Sequence, residues 1–455
     1  MSGLLGLLDL GAGAMVAQNA GVAVAARNTA NVNTVGYSRQ RINLQSELGV
    51  PLVGGVRVEG PERFDDQLLS LRERTSDSSR GQYSSLSVAT ANLEAGVAPS
   101  QGNMVQAIAA LFGGLLDLAS SPLDPALRTD VVSRANDTAT AFTTTAGAIS
   151  SSRSQTNARI QSMAREAERL ASQVAAANRA LAVDHDPVIA DKRDQAARGL
   201  AEIIGSQARI DSDGQMRIVV PGGGMLVDGG RSAQIVGVPD STTGDMRIEL
   251  RDGNHVDDVT NRITGGKIGG EIAFRDQTLT QASTELDQLA FDMATQINAV
   301  HRNSAAPDGT TGLDLFDEPA QVAGTAAAFS VNTQIATDAS KLAGATFGAG
   351  AGDNSGFLQL VALKDQPVAG NGTRTFVDQA ITMLGNVGAA AASTRGAHEL
   401  ELARSEVLAG LRDGLSGVSL AEEASNLSQY QHASEAAVRF IGTVDQMLDF
   451  LITNL

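Results

Sequence analysis

The residues whose types and spacing come nearest to a chemical site in this chain are its histidines and carboxylates, since it has no cysteine. Zinc, iron–sulfur and disulfide sites built on sulfur are thereby excluded, as is a thiol nucleophile. His398-Glu399 carries the first two letters of H-E-x-x-H, in which two histidines on one helix face hold zinc and the glutamate activates water. Residue 402 is Leu where the second histidine must stand, so His398 reads as an exposed helical histidine. His185, His255, His301 and His432 do not fall three or four residues from one another or from His398. Asp211-Ser-Asp213-Gly214 resembles the opening of a calcium loop, but the twelfth position is Gly222 rather than a bidentate Glu. A hairpin turn is expected there, and Asp308-Gly309 reads as a turn too. Glu422-Glu423 is a pair of acids without an evident cleft, which is weak ground for acid–base catalysis. Near the first turn of a helix, negative charge suits the dipole. There is no phosphate-loop pattern and no G-x-S-x-G elbow. The expectation is no catalytic site, no metal and no cofactor.

What remains informative is the elements themselves. From Val418 to Ile441 there is neither Pro nor Gly, and Leu420, Leu427, Ser434, Ile441, Leu448 and Leu455 recur every seven residues. Tyr430, Ala437, Val444 and Leu451 fill the second seam position. That 3–4 spacing predicts a helix with one apolar stripe, to be covered by the chain folding back or by another molecule. Residues 4–30 form a second, glycine-interrupted helical pattern with Leu8, Met15 and Val22 seven apart. Each glycine weakens it by roughly 1 kcal/mol relative to Ala, so it needs a partner surface, and the C-terminal stripe is the obvious one. The segment 26–44 is turn-rich through Asn28, Asn31, Asn33 and Gly36, then alternates through Tyr37, Arg39 and Arg41 as a strand does.

The 455 residues suggest two to four domains. A net charge of −17 argues against a nucleic-acid surface. The first basic residue is Arg27, so a signal peptide's positive start is missing, and the uncharged stretch 10–26 is expected to be too weakly apolar to span a membrane. Helices are predicted over 64–98 (stripe Phe64, Leu68, Leu71, Leu86, Leu93), from Met104 to Pro122, and from Asp124 to about Val183, with Arg153 and Thr156 interrupting the last stripe. Further helices are predicted at 188–204, 271–302, 357–363 and 375–414, the last with Val377, Ile381, Leu384, Leu400, Val407 and Leu411 and a hinge at Gly414 and Gly417. Between 207 and 250 the period becomes that of short strands split by Gly turns. The fold expected is mainly α with a small β insertion, an α+β multidomain chain. Residues 1–50 plus 415–455 would form a terminal coiled coil. Residues 51–206 plus 265–302 plus 357–414 would form a long-helix bundle. Residues 207–264 plus 303–356 would form a β-rich outer domain.

The run Asn28-Thr-Ala-Asn31-Val-Asn-Thr34-Val-Gly36-Tyr37-Ser-Arg39 resembles the N-terminal motif of the rod, hook and hook-associated axial proteins of the bacterial flagellum. SGVSLAEEASNL, then Tyr430-Gln431 and Val444 to Leu451, resembles their C-terminal motif. Asp191-Lys-Arg-Asp194, Gly265-Gly-Lys-Ile-Gly-Gly270-Glu-Ile-Ala-Phe-Arg275-Asp276 and Asn298-Ala-Val-His301 narrow the resemblance to the hook-associated protein 1 family. That resemblance implies a structural subunit at the hook–filament junction, exported by the flagellar type III pathway from the cytoplasm and assembled outside the cell. It implies self-assembly into a ring, contact with the hook protein and the next hook-associated protein, and an export chaperone at the C-terminal helix. Neither nucleic acid nor membrane is an expected partner. The assembly interface is expected at Leu8, Met15, Val22, Leu427, Tyr430, Ile441, Val444, Leu448 and Leu451, with Asn28, Asn31, Gly36 and Tyr37 setting the bend after the first helix. An intramolecular role for the same stripes stays open. The alternatives are another axial protein, such as a hook or distal rod subunit, an enzyme with a site in 207–356, or a secreted coiled-coil effector.

Overall fold

The computed structural model describes residues 2–34, 36–47, 55–98, 103–350 and 352–453. Leu455 of the terminal stripe, the breaks expected at Pro99 and Gly102, and part of the extended stretch 45–63 lie outside them. Helix α1 (Ser2–Ala30) leads into a hairpin of β1 (Gln40–Glu47) and β2 (Gly55–Arg63), antiparallel with a bulge at Asn43/Leu44. Then come α2 (Gln67–Val97), α3 (Met104–Ser120), α4 (Pro125–Leu181) and α5 (Pro187–Ile204). The helix starts are written in the sequence. Asp66, Asn103, Asp124 and Asp186 each accept a backbone N–H of the first turn, and Pro125 and Pro187 follow the last two.

Strands β3 (Gln207–Ile210), β4 (Met216–Val220), β5 (Gly224–Asp228) and β6 (Arg231–Ser232) make one antiparallel sheet. Strands β7 (Gln234–Pro239), β8 (Met246–Asp252) and β9 (His255–Asp258) make a second. Helix α6 (Gly266–Ala273) passes through a π-type stretch, 274–279, into α7 (Thr280–Arg302). A loop-rich region carries β10 (Ser304–Ala305), α8 (Thr333–Thr337), β11 (Ala345–Thr346) and α9 (Ser355–Ala362). The chain closes with α10 (Phe376–Ser416) and α11 (Leu420–Thr453). The molecule is mainly helical with small sheets, and its terminal helices pair.

Two apolar cores form, and the 57-residue helix α4 runs through both. Its first half joins α3, α7, α9 and the near halves of α2 and α10. Its second half joins α5, α6 and the strands. The stripe break at Arg153 and Thr156 falls between the two cores. There Arg153 pairs with Asp245 at 2.6 Å, and buried Thr156 accepts a hydrogen bond from Arg159.

Several expectations are corrected. Leu68 and Leu71 are exposed, and α2 instead turns Glu73, Ser76, Asp77 and Gly81 inward. Two things dictate that face: Arg198 bonds Asp77 at 2.8 Å and Glu73 at 3.1 Å, and a Cβ at Gly81 would lie 2.1 Å from the Glu202 carbonyl. On α10 the buried line is Phe376, Ala380, Met383, Val387 and Ala391, so Ile381, Leu400, Val407 and Leu411 face outward. Gly414 stays helical, and only residues 417–419 break the chain between α10 and α11. The region 303–356 packs on the first core, whereas the strands of 207–264 pack in the second. Helix α1 is long and apolar enough, by length and composition, to cross a membrane, because its leucines extend the apolar stretch below residue 10. In the fold it lies along α11.

The motif Asn298–His301 is a core clamp. Buried Asn298 accepts from the N–H groups of Leu315 and Phe316 and donates to the Phe316 carbonyl. His301 Nδ1–H donates to the Leu313 carbonyl, and Nε2 accepts from Ala343 N–H at 2.9 Å. Both nitrogens are used by the neutral ring, and burial holds its pKa below the ordinary value. An unfolded chain takes up this proton near pH 6.5 while the native one resists it, so stability falls as pH drops from about 6.5 through the folded value. Chemical denaturation between pH 7.5 and 5.5 should show that loss, and His301→Gln should flatten it. Identical slopes in both proteins would show that His301 does not govern this window.

Candidate assembly interface

Helices α1 and α11 run antiparallel along each other. Their register follows from close approaches. A Cβ at Gly11 would lie 2.6 Å from Ile441, and one at Gly21 would lie 2.6 Å from the Tyr430 ring. Asn28 reaches Glu423 at 3.1 Å near the far end. The glycines that weaken α1 as an isolated helix therefore let a large side chain of α11 settle against its backbone. The buried line of α1 is Gly11, Ala17, Gly21, Val24, Ala25 and Asn28, not the expected stripe. Leu8, Met15 and Val22 are half-buried beside that line. On α11, Leu427, Tyr430, Ile441 and Leu448 are half-buried, Val444 is buried and Leu451 is exposed.

Where the pair meets the rest of the molecule, a polar knot replaces apolar packing. Asn28 uses every donor and acceptor position that its amide has available there. Its Nδ2 donates to the Gln40 carbonyl at 2.9 Å and to Glu423, and its Oδ1 accepts from Tyr37 Oη–H at 2.8 Å and from Gln40 N–H at 3.0 Å. Burial, with Asp191 and Glu423 adding to it and Arg27 opposing, pushes the Tyr37 phenol up to about 12, so it stays a donor. Arg39 bonds Glu423 at 2.7 Å and Glu422 at 2.6 Å. These two acids, which the sequence suggested only as partners of a helix dipole, thus join the start of β1 to the start of α11. Gly36 has φ +81°, a backbone that only glycine adopts freely. Asn31 donates to the Arg27 carbonyl at 2.9 Å and accepts from Thr34.

Asp191-Lys-Arg-Asp194 sits at a three-way crossing. Asp191 and Asp194 hold Arg63 of β2 at 2.9 and 2.8 Å, and Asp191 also accepts from Ser38 N–H. Burial raises the Asp191 pKa, while its bonds to Arg63 and Ser38 oppose that rise. Arg193 points the other way, to the Gly214 carbonyl of the β3–β4 turn and to Asn178. The glycines of 265–270 are spacers as well: a Cβ at Gly270 would lie 2.4 Å from the Gln82 carbonyl, and Glu271 takes a two-pronged bond from Arg159 at 2.8 Å. A polar cleft of about 400 Å³ lies beside this crossing, between Tyr37, Phe64, α2, α5 and the end of α10. Among the described residues no cluster of His, Asp or Glu is placed to hold a metal.

Beside the seam α11 keeps a partly exposed apolar line, and α10 carries another. On α11, Phe440, Met447 and Leu451 are 39, 52 and 41% exposed. On α10, Leu400, Val407 and Leu411 are 68, 66 and 54% exposed. Each line has the 7-then-4 spacing of a single helix face. Of the α11 line only Leu451 is expected from sequence; Phe440 and Met447 are not, because the stronger seam stripe masks them.

Two family models match the chain: the flagellar hook-associated protein FlgK helical domain over 90–316, and the flagellar basal body rod FlgEFG protein C-terminal segment over 415–455. The flagellar hook-associated protein 1 of Bacillus subtilis is 25% identical, over 97% of this chain and 96% of its own length. That of Salmonella typhimurium is 26% identical, over 66% of this chain and 57% of its own length. The flagellar hook junction protein FlgK from Burkholderia pseudomallei shares the fold, with TM-score 0.69 at 16% identity, over 77% of this chain and all of that one.

Proposed function

The chain belongs to the flagellar hook-associated protein 1 family, and from that premise we propose that it is a structural subunit joining hook to filament. The match over 90–316 is to a hook-associated protein's own helical domain and favours this branch over a hook or rod subunit, which the C-terminal match by itself would fit as well. One observation carries the reading further: two apolar lines, on α10 and α11, remain uncovered in the single chain. Contiguous exposed apolar surface marks an interaction site. Burying the exposed part of each such side chain contributes a fraction of the roughly 1.5–3 kcal/mol of full burial, so several must act together in each contact to offset the ordering of two surfaces.

In this reading copies of the chain close into a ring through these lines, with α1 and α11 already paired inside each subunit. The hook protein lies on one side and the next hook-associated protein on the other. Residues 1–50 plus 415–455 act as the terminal unit. Residues 51–206 plus 265–302 plus 357–414 act as the body, with the strands of 207–264 on its flank. The subunit is not an enzyme. It leaves the cytoplasm through the type III export path, with a chaperone covering α11 until export, and it works outside the cell.

Val407→Asp with Met447→Asp tests the reading. Both side chains are more than half exposed, so monomer stability should change by no more than about 0.5 kcal/mol. Cells relying on the double variant should nevertheless export filament protein without retaining filaments. Normal filament attachment would reject the assembly role of these lines.

A further inference from the structure

Helices α2 and α10 form an antiparallel pair whose two halves are built oppositely. In the half near α3, the contact is apolar: Leu93 and Val97 on α2, and Phe376, Ala380, Met383, Val387 and Ala391 on α10, are all buried. Thr90 and Thr394, hydrogen-bonded at 2.8 Å, mark the change. Beyond them the register, carried on to Glu73 and Arg412 at 3.6 Å, places His398 and Glu401 opposite the stretch 83–87. This half is polar inside and apolar outside. Ser76 Oγ, Arg80 Nε, His398 Nδ1 and Glu401 Oε2 are buried with no hydrogen-bond partner in the protein. Leu68, Leu71, Leu400, Val407, Leu411 and Leu415 face outward. The polar cleft beside Tyr37 opens along its edge. Ion pairs repay Glu73, Asp77 and the far end of Arg80, but the four unpartnered atoms lose water without a hydrogen bond in return, which is costly in a packed interior.

We infer that the lower half of this seam is a weak zipper from which residues 398–412 of α10 open as a unit, while the upper half stays closed and α2 stays held against α5 and α6 by Arg198, Gly81 and Gly270. Local opening of this kind draws on the least stable segments of a fold. Among the described residues the terminal helices meet the body through α10, through the β1–β2 hairpin that leads into α2, and through the knot around Asn28, Arg39 and Arg63, so opening the zipper loosens one of these attachments. The opening follows from the seam alone; its use during ring formation rests on the assembly reading.

Hydrogen–deuterium exchange on the full-length monomer tests the opening without reference to assembly. Amides of 398–412 should exchange at least about 100-fold faster than those of 376–391 on the same helix. Equal protection along α10 would overturn the inference. His398→Leu with Glu401→Leu fills the seam with apolar groups and should slow exchange of the lower half about tenfold or more, leaving 376–391 unchanged. Ser76→Ala, which removes one orphaned hydroxyl with little change of volume, should act in the same direction should the double variant not fold. Unchanged or faster exchange in the folded variants would contradict the proposed weakness. The exchange result stands whether or not the filament-attachment test succeeds, so the two readings fail separately.

Discussion

Removing residues 420–453 should leave a folded helical body that cannot enter a junction. Helix α11 contributes nothing to either apolar core, and its deletion takes away the partner of α1 rather than any part of the body. Asn28 then loses Glu423, Arg39 loses both carboxylates, and Gly21 faces solvent where Tyr430 stood. A glycine-rich helix stripped of its packing face is not stable alone, so α1 should unfold too. The expected readout is a melting transition of the body close to that of the whole chain. A drop in helical content by about the combined length of α1 and α11 should accompany it, with complete loss of attached filaments. Co-operative unfolding of the body on truncation would mean that the terminal pair is integral to the core.

Gly21→Leu should have the next largest effect, and it separates the pairing from the mere presence of the helices. A Cβ at this position already overlaps the Tyr430 ring, and the rest of a leucine would have no room without parting the helices. Overpacking costs typically 1–3 kcal/mol in a closed core, and a two-helix edge has less to resist it. By contrast Gly442, on α11, has open space around its Cα, so Gly442→Ala should stabilise the same helix pair by about 1 kcal/mol through propensity alone. Opposite signs are expected from thermal unfolding followed by exchange of the α1 amides. Two changes of the same sign would show that helix propensity, not close approach, decides the pairing.

The long helices were legible because their apolar spacing is regular and their starts carry Asp, Asn and Pro. The buried face of α1 was not, because Ala17, Gly21 and Ala25 hold the helices together by being small, which a hydrophobic pattern does not register. The first half of α2 misled for the opposite reason: Leu68 and Leu71 look like a core stripe, but the ion pairs of Arg198 and the close approach at Gly81 turn Glu73 and Asp77 inward. At the knot, Arg39 and Glu422-Glu423 were each visible, yet they lie almost a whole chain apart, and periodicity says nothing about such distances. The family motifs at Asp191–Asp194, 265–276 and Asn298–His301 were legible as resemblance only. The structure supplies their physical content as clamps between elements, made by buried Asn, Arg and Glu side chains.

The most direct test of the uncovered apolar lines uses the absence of native cysteine. Single cysteines at Val407 and Met447 would be offered a maleimide in the purified monomer and in isolated hook–filament junctions. The account predicts rapid labelling of both positions in the monomer and protection of both in the junction. Equal labelling in the two states would show that these lines stay in solvent, and the subunit would have to assemble through other surfaces.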